Sequence, residues 1–167
     1  MRRTMTPRGQ RALRDALQRL KAMRPELADA IEVARQHGDL SENADYDAAK
    51  EKSGITEAKI RDVEARLSQA EVIDPRSINS PARVTFGVTV TVEDIDSGEE
   101  KKYSIFGVED SDVSKGWISY ETPLARGLLG KSVGDTATIK LPGGIRELEI
   151  MEIVVDYNDE EKIVLSI

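Results

Sequence analysis

Two heptad seams joined by a short turn constrain the fold of this chain more than any other feature of its sequence. Apolar residues in the first seam recur at alternating spacings of three and four: Leu13, Leu17, Leu20, Leu27, Ile31 and Ala34. The second seam follows the same rule through Tyr46, Ala49, Ser53, Thr56, Ile60, Val63, Leu67 and Ala70. Such spacing is typical of helices that pack along one another. Because the turn between them is short, the two helices are expected to form an antiparallel coiled-coil hairpin.

Local signals set the limits of the first helix. Thr6 and Pro7 form a start signal, a hydroxyl cap followed by proline at the first helical position. Gly38 predicts the end, because glycine readily adopts the left-handed conformation found there. Pro25 is expected to kink or interrupt the helix, because it lacks a backbone N–H and its ring crowds the preceding turn.

Charges beside the seams support this pairing. In an antiparallel pair Lys21 meets either Glu57 or Glu64, and the sequence leaves both open. Lys50 faces no acidic residue in either register. The same holds for three cations on the other edge of the second helix: Lys52, Lys59 and Arg66.

The hydrophobic period changes to two in the second half of the chain. Strands are expected at 84–92, 103–108, 117–120, 136–141 and 145–157, with one short helix from Thr122 to Leu129. This pattern predicts an α+β domain, an antiparallel sheet with a single short helix. The predicted organisation is a coiled coil at 1–76, a linker at 77–82, the α+β domain at 83–157 and a tail at 158–167. The tail could add an edge strand or remain disordered.

Composition narrows the classes of function. The net charge of −7 argues against non-specific duplex binding, although the first 24 residues hold eight basic side chains and one acid. Cysteine is absent, which excludes disulfides and thiolate metal sites. No apolar run has the length of a signal peptide or a membrane span. A soluble, cytoplasmic protein without a membrane partner is therefore expected.

The turn between the seams is rich in acids. Asp39 and Glu42 match a capping box, in which Asp39 would cap the second helix. That interpretation leaves Asp45 and Asp47 unexplained, because further acids in one turn repel each other. Carboxylates are the ligands that Mg²⁺ and Mn²⁺ prefer, but two or three on one turn rarely hold an ion alone. Acids at the end of a thin helical rod are better suited to delivery into a cavity of another molecule.

These residues resemble a known family. Residues 38–51, 70–74, 84–90, 118–131 and 142–144 are similar, in the same order, to blocks of the GreA/GreB transcript cleavage factors of bacterial RNA polymerase. The acidic total and the lack of a long basic patch are closer to the GreA branch than to the GreB branch. Two positions depart from the family pattern: Asp45 stands where a longer Glu is common, and Thr122 replaces the usual Ser. The tail after 157 runs past the usual end of the family.

The resemblance implies a mechanism as well as a fold. The coiled coil would enter the secondary channel of the polymerase, and an FKBP-like C-terminal domain would dock at the channel rim. The factor would not itself be an enzyme. The polymerase would hydrolyse the 3′ end of a backtracked RNA, and arrested complexes would be released. A monomer is expected.

The resemblance also assigns roles to individual residues. Asp39 and Glu42 would hold a Mg²⁺ ion shared with the polymerase active site, only within that complex, and would orient the attacking water. Asn43 and Asp45 would support them. Three cations would contact the RNA: Arg35, Lys50 and Lys52. Three residues would dock on the polymerase: Ser119, Thr122 and Pro123.

Three other functions compete with this interpretation. A secondary-channel inhibitor would share the fold without stimulating cleavage, and the presence of Asp39 and Glu42 argues against it. An FKBP-type prolyl isomerase needs an aromatic-walled pocket, for which the aromatic residues are too few and too evenly spread. A scaffold that dimerises through its coiled coil would not need the small seam residues found towards the tip.

Overall fold

A computed structural model describes residues 2–37 and 43–167 of the protein. The chain forms two compact units. One contains Met1–Gln10 and Ala70–Ile163, and the other contains Arg11–Gln69 and Val164–Ile167. No helix within the described ranges is both long enough and apolar enough to cross a membrane.

Two long helices dominate the second of these units, as the heptads predict. Helix α1 runs over Pro7–Arg35 and helix α2 over Ala44–Ser68. The hydroxyl of Thr6 accepts a hydrogen bond from the amide of Gly9 at 3.0 Å, so the predicted helix start is confirmed. Of the two outcomes expected at Pro25, the interruption is wrong, since α1 continues through that residue, and the kink stays a prediction. Packing along the seam outweighs the one backbone donor that proline removes.

The seams lie where the helical period places them. In α1 the side chains of Leu13, Leu20, Leu27 and Ala34 are buried. In α2 the buried residues are Thr56, Ile60 and Val63. Two buried alanines, Ala12 and Ala16, also line the first helix and were missed, because alanine gives a weak hydrophobic signal.

Ion pairs fix the register that the sequence left open. Lys21 lies 3.8 Å from Glu64. The polar seam residue Arg24 forms a bidentate salt bridge with Glu57, with hydrogen bonds of 2.8 and 2.9 Å. Arg66 is not unpaired as predicted, because it contacts Asp62 one turn earlier at 3.1 Å. The correction follows from helical geometry, which places residues i and i+4 on the same face.

The other unit is built on a five-stranded sheet of β3 (Thr89–Asp94), β4 (Glu100–Phe106), β5 (Trp117–Ser119), β6 (Thr136–Leu141) and β7 (Gly144–Val154). The order of the strands across the sheet is β5-β4-β3-β7-β6. One short helix, α3 (Pro123–Leu128), packs against it through Ala125 and Leu128, which are fully buried. The predicted α+β class with one helix is confirmed.

The predicted fully antiparallel arrangement is wrong at one edge. Strand β5 pairs parallel with β4, although the other pairs in this sheet are antiparallel. The reason is the connection at 107–116, which contains two 3₁₀ turns, Val108–Asp110 and Val113–Lys115, rather than a tight hairpin. A connection of this kind lets the chain cross over and return in the same direction.

The first strand of the sheet begins later than the alternation suggests. Val84 and Val88 are buried, but regular pairing starts only at Thr89. A turn at residues 86–87 intervenes, where Gly87 has a φ of 96°. The apolar alternation therefore begins before the strand does. It reflects which side chains are buried and does not require that the backbone pair with another strand.

A second, two-stranded sheet was not predicted. Strand β1 (Arg3–Met5) pairs parallel with β2 (Ala70–Val72), so the first residues of the chain join the unit that holds the larger sheet. This differs from a first domain that spans 1–76 without a break. Local sequence could not reveal the pairing, because it joins segments more than sixty residues apart.

The tail follows Val154 without forming the edge strand considered above. Residues 158–167 contain a turn at 159–160 and otherwise no helix or strand. Residues up to Ile163 group with the sheet-containing unit, and the last four group with the helical unit.

Candidate functional site

The predicted acidic site lies between α1 and α2 in the sequence. Asp39 and Glu42 lie outside the described residues, together with Gly38, Leu40 and Ser41. The structure describes the chain up to His37 and from Asn43 onward.

Asn43 closes the described end of the hairpin. Its side-chain oxygen accepts a hydrogen bond from the amide of Tyr46 at 3.0 Å, which makes Asn43 the N-cap of α2. Its side-chain nitrogen donates to the carbonyl of Ala34, in the last turn of α1. A single side chain thus satisfies backbone groups at the ends of both helices, where such groups otherwise lack partners. From the sequence, Asn43 is expected only to support Asp39 and Glu42.

This geometry corrects the predicted capping box. The cap of α2 is Asn43, and α2 begins at Ala44 rather than beside Asp39. Asp45 and Asp47 then occupy the first turn of α2, where the helix dipole favours acidic side chains. Both are exposed.

The predicted RNA-contacting cations lie near this end of the hairpin. The ammonium of Lys50 lies 5.4 Å from the centre of the Tyr46 ring. Neither Lys50 nor Lys52 has an acidic partner within 4.0 Å among the described residues, and both are exposed. Arg35 lies 4.0 Å from Glu32, with both side chains more than half exposed. Such a contact is worth little in water and leaves the guanidinium accessible.

The predicted docking residues form a compact helix start in the sheet-containing unit. Thr122 caps α3, since its hydroxyl accepts from the amide of Ala125 at 3.3 Å and donates to the carbonyl of Ser119 at 2.8 Å. Pro123 occupies the first helical turn and is exposed. The hydroxyl of Ser119, which is buried, accepts from the amide of Glu121 at 3.2 Å. Thr122 therefore performs the capping role expected of the Ser that it replaces.

A buried ionic cluster in the same unit was missed from the sequence. Arg8 is almost fully buried and donates to Asp110 at 2.9 Å. The hydroxyl of Thr6 donates to the other oxygen of Asp110. Burial raises the pKa of Asp110, whereas the bond from Thr6 and the charge of Arg8 lower it. No local signal separates Arg8 from the exposed cations that surround it in the sequence.

The sheet-containing unit also carries a pocket of about 30 Å³ beside α3. Its lining includes the apolar residues Val92, Leu124, Leu141 and Leu148, with a charged rim. Tyr103 is the aromatic residue in that lining. A single aromatic side chain does not provide the aromatic-walled pocket that a prolyl isomerase needs.

Metal-ligating side chains are scattered in the part of the chain that the structure describes. Within residues 2–37 and 43–167, no group of three or more His, Asp or Glu side chains could hold a metal ion. The residues predicted to bind Mg²⁺, Asp39 and Glu42, are outside those ranges.

Comparison with known proteins covers both halves of the chain. A model of the N-terminal region of transcription elongation factors matches residues 3–72, and the GreA/GreB C-terminal model matches residues 79–154. Transcription elongation factor GreA from a Psychrobacter species is 50% identical over 151 residues, which cover 90% of this chain and 96% of that protein. GreA from Vibrio cholerae is 50% identical over 87% of this chain and 93% of its own length.

Among solved structures, GreA factor homolog 1 of Thermus thermophilus is 26% identical and covers 92% of this chain and 99% of its own. The TM-score of this match is 0.42. The matches in sequence are enough to identify the family, and they confirm the predicted resemblance. The chain belongs to the GreA/GreB family of transcription elongation factors.

Proposed function

We propose that this elongation factor inserts its helical hairpin into the secondary channel of bacterial RNA polymerase and stimulates cleavage of backtracked RNA. The polymerase provides the nuclease active site, and the factor supplies carboxylates from the turn between its helices. Support comes from relatives that are named transcription elongation factor GreA and match about nine-tenths of the chain. A hairpin of two helices with 29 and 25 residues has the slender form that entry into a channel requires.

The cap of α2 is the observation that carries this proposal. A capping box would give Asp39 and Glu42 a structural reason to be acidic. Asn43 fills the cap position instead, through its bond to the amide of Tyr46. The acidity of the two residues then needs another explanation, and delivery to a partner active site provides one.

The chemistry of the donors fits a hard divalent cation. Carboxylate oxygens of Asp39 and Glu42 are of the type that Mg²⁺ prefers. When bound in the polymerase, such an ion would stabilise the charge that develops on the phosphodiester during hydrolysis. The chain's own contribution is to complete the ligand shell and to orient the attacking water. Asn43 keeps the ends of the two helices together and so limits the positions that the acids can take.

The cations near the turn have a complementary role. Lys50 and Lys52 lack acidic partners among the described residues, so their charges remain available to RNA phosphates. Arg35 is held only by an exposed contact with Glu32. We assign these three residues to the extruded 3′ end of the RNA.

Docking is assigned to the start of α3. Thr122 and Ser119 hold the loop before the helix in a fixed shape, and Pro123 is presented at its surface. A preordered loop binds with a smaller entropic cost than a flexible one. The factor is proposed to act there as a monomer at the channel rim.

The test is RNA cleavage in a stalled, backtracked elongation complex with Mg²⁺. The native chain should accelerate cleavage, and the double variant Asp39→Asn with Glu42→Gln should lose most of that effect. The matched control is Asp47→Asn with Glu51→Gln, which removes the same charge from exposed positions in α2 and should retain activity. Equal losses of cleavage activity in both double variants would indicate that the total negative charge matters, rather than the positions of Asp39 and Glu42. A native chain that binds polymerase without accelerating cleavage would contradict the proposal.

A further inference from the structure

The segment Tyr157–Glu161, which we name the C-terminal latch, covers the buried side chain of Arg8. The carbonyl of Asn158 accepts a hydrogen bond from Arg8 at 3.0 Å, and the Tyr157 ring lies 4.6 Å from its guanidinium carbon. The hydroxyl of Tyr157 also accepts from the backbone amide of Arg8 at 3.0 Å. Glu161 adds a carboxylate 3.8 Å from the same guanidinium.

The rest of the cover comes from strands β4 and β5 and from the connection between them. The Trp117 ring lies 4.1 Å from the guanidinium carbon of Arg8, and Phe106 lies 5.1 Å away. Asp110 is the ionic partner on that side. One guanidinium nitrogen, Nη2, is buried and has no hydrogen-bond partner among the residues that the structure describes. A buried cation with an unsatisfied donor is costly, so its enclosure depends on every remaining contact, including those from the latch.

Besides its contacts with Arg8, the latch makes ionic contacts at partly exposed positions. Glu161 contacts Lys115 at 2.5 Å, with the two side chains 35% and 42% exposed. Asp159 lies 3.8 Å from Arg76, which is 55% exposed. Residues 157–161 pair with no strand in the described structure. Ion pairs at exposed positions contribute little each and are weakened by salt, so this segment should open far more easily than the sheet.

We propose that the C-terminal latch is an ionic switch that holds the N-terminal segment of the chain, through Arg8, in the sheet-containing unit. When the latch is closed, the Arg8 amide is protected by Tyr157, and the Trp117 ring is covered by Arg8 and Lys115, which both contact Glu161. When it opens, Arg8 loses its acceptor at Asn158 and the nearby charge of Glu161. The C-terminal family model ends at residue 154, so the latch segment lies beyond the matched region, whereas Arg8, Lys115 and Trp117 lie within the matched regions.

Two readouts follow the latch directly. Trp117 is the one tryptophan of the chain and lies under both Arg8 and Lys115, whose ammonium is 4.5 Å from its ring. The fluorescence emission of Trp117 and its quenching by acrylamide therefore report on whether Arg8 and Lys115 still cover the ring. Hydrogen exchange at the Arg8 amide reports on the bond to Tyr157, and exchange at the Ile105 amide in the sheet reports on global unfolding.

The decisive comparison uses two double variants of the full chain with the same charge change. Asp159→Asn with Glu161→Gln removes the carboxylate charges of the latch but keeps groups that can form hydrogen bonds. Asp156→Asn with Glu160→Gln removes two exposed acids from the same stretch. The first variant should exchange at Arg8 about fivefold to tenfold faster than the native chain and expose Trp117 to quencher, with Ile105 unchanged. The second should match the native chain.

A salt titration provides a second, independent test of the switch. Raising NaCl to about 1 M, where charges are screened beyond about 3 Å, should shift the native chain towards the behaviour of the first variant. Two results would overturn the switch. One is indistinguishable exchange at Arg8 in the two double variants. The other is an Arg8 amide in the native chain that exchanges as slowly as Ile105 and does not respond to salt.

Discussion

Asn43 is the residue that most directly determines how the described ends of α1 and α2 meet. It accepts from the amide of Tyr46 and donates to the carbonyl of Ala34, so it connects the start of α2 with the end of α1. We expect Asn43→Ala to destabilise this end of the hairpin by about 1–2 kcal/mol, because both bonds are lost. The measurement is hydrogen exchange at the amide of Tyr46, which should accelerate.

Asn43→Asp separates the two bonds. Aspartate keeps the capping oxygen but cannot donate to the Ala34 carbonyl. Protection at Tyr46 should therefore persist in this variant. If Asn43→Ala also leaves Tyr46 protected, then the cap is not what orders the start of α2.

At the scale of the helical pair, one cross-helix contact makes stability depend on pH. Two hydrogen bonds from Arg24 are the largest cause that lowers the pKa of Glu57 from its ordinary value near 4.5. A lowered pKa means that the contact stabilises the fold above the unfolded value and is lost as the pH falls through the folded value. Glu57→Gln should therefore lower the melting temperature slightly at pH 7, and the difference from the native chain should shrink at an acidic pH well below 4.5.

The matched control for this pair is Glu51→Gln, at an exposed position of the same helix. It should melt like the native chain at both pH values. A difference between Glu57→Gln and the native chain that stays constant with pH would assign the effect to packing rather than to charge.

Pro25 gives a second prediction at this scale. It is exposed and lies inside α1, where its missing N–H removes one hydrogen bond of the helix. Pro25→Ala should therefore stabilise the helical unit, by up to about 3 kcal/mol. Denaturant unfolding followed by helical circular dichroism provides the measurement. A destabilised variant would show that proline fits a local bend that the packing requires.

For the whole molecule, the main feature is that the first residues of the chain belong to the sheet-containing unit. Strand β1 pairs with β2, Arg3 contacts the buried Glu109 at 2.7 Å, and the amide of Thr4 donates to the hydroxyl of Tyr120. The close approach of this strand leaves no space for a side chain at Gly107. A Cβ atom there would lie 2.6 Å from the carbonyl oxygen of Thr4.

Gly107→Ala tests this arrangement. We expect it to destabilise the unit by about 1–3 kcal/mol and to increase exchange at residues 3–5, because the strand must move away. Gly143→Ala is the control, since a Cβ at that position meets nothing within 4 Å. Unfolding midpoints of the two variants should differ clearly. Equal midpoints would show that the first residues are not packed against Gly107.

The sequence by itself determined the features that depend on neighbouring residues. The heptad spacing of Leu13 to Ala34 specified a helix with one buried face, and Thr6 with Pro7 specified its start. Thr122 and Pro123 specified the start of α3 in the same way. Period and capping act within a few residues, so they can be recognised without a fold. The acids Asp39 and Glu42 are also evident from the sequence, and their role stays a prediction.

Only the tertiary structure decided what distant segments do together. The parallel return of β5, the pairing of β1 with β2 and the burial of Arg8 all join residues that carry no local sign of one another. Asn43 belongs to this group as well, since its bond to Ala34 depends on where α1 ends. Burial of a charged residue such as Arg8 is favourable only when Asp110, Trp117 and Tyr157 converge on it. That convergence is a property of the folded chain, because no local pattern encodes it.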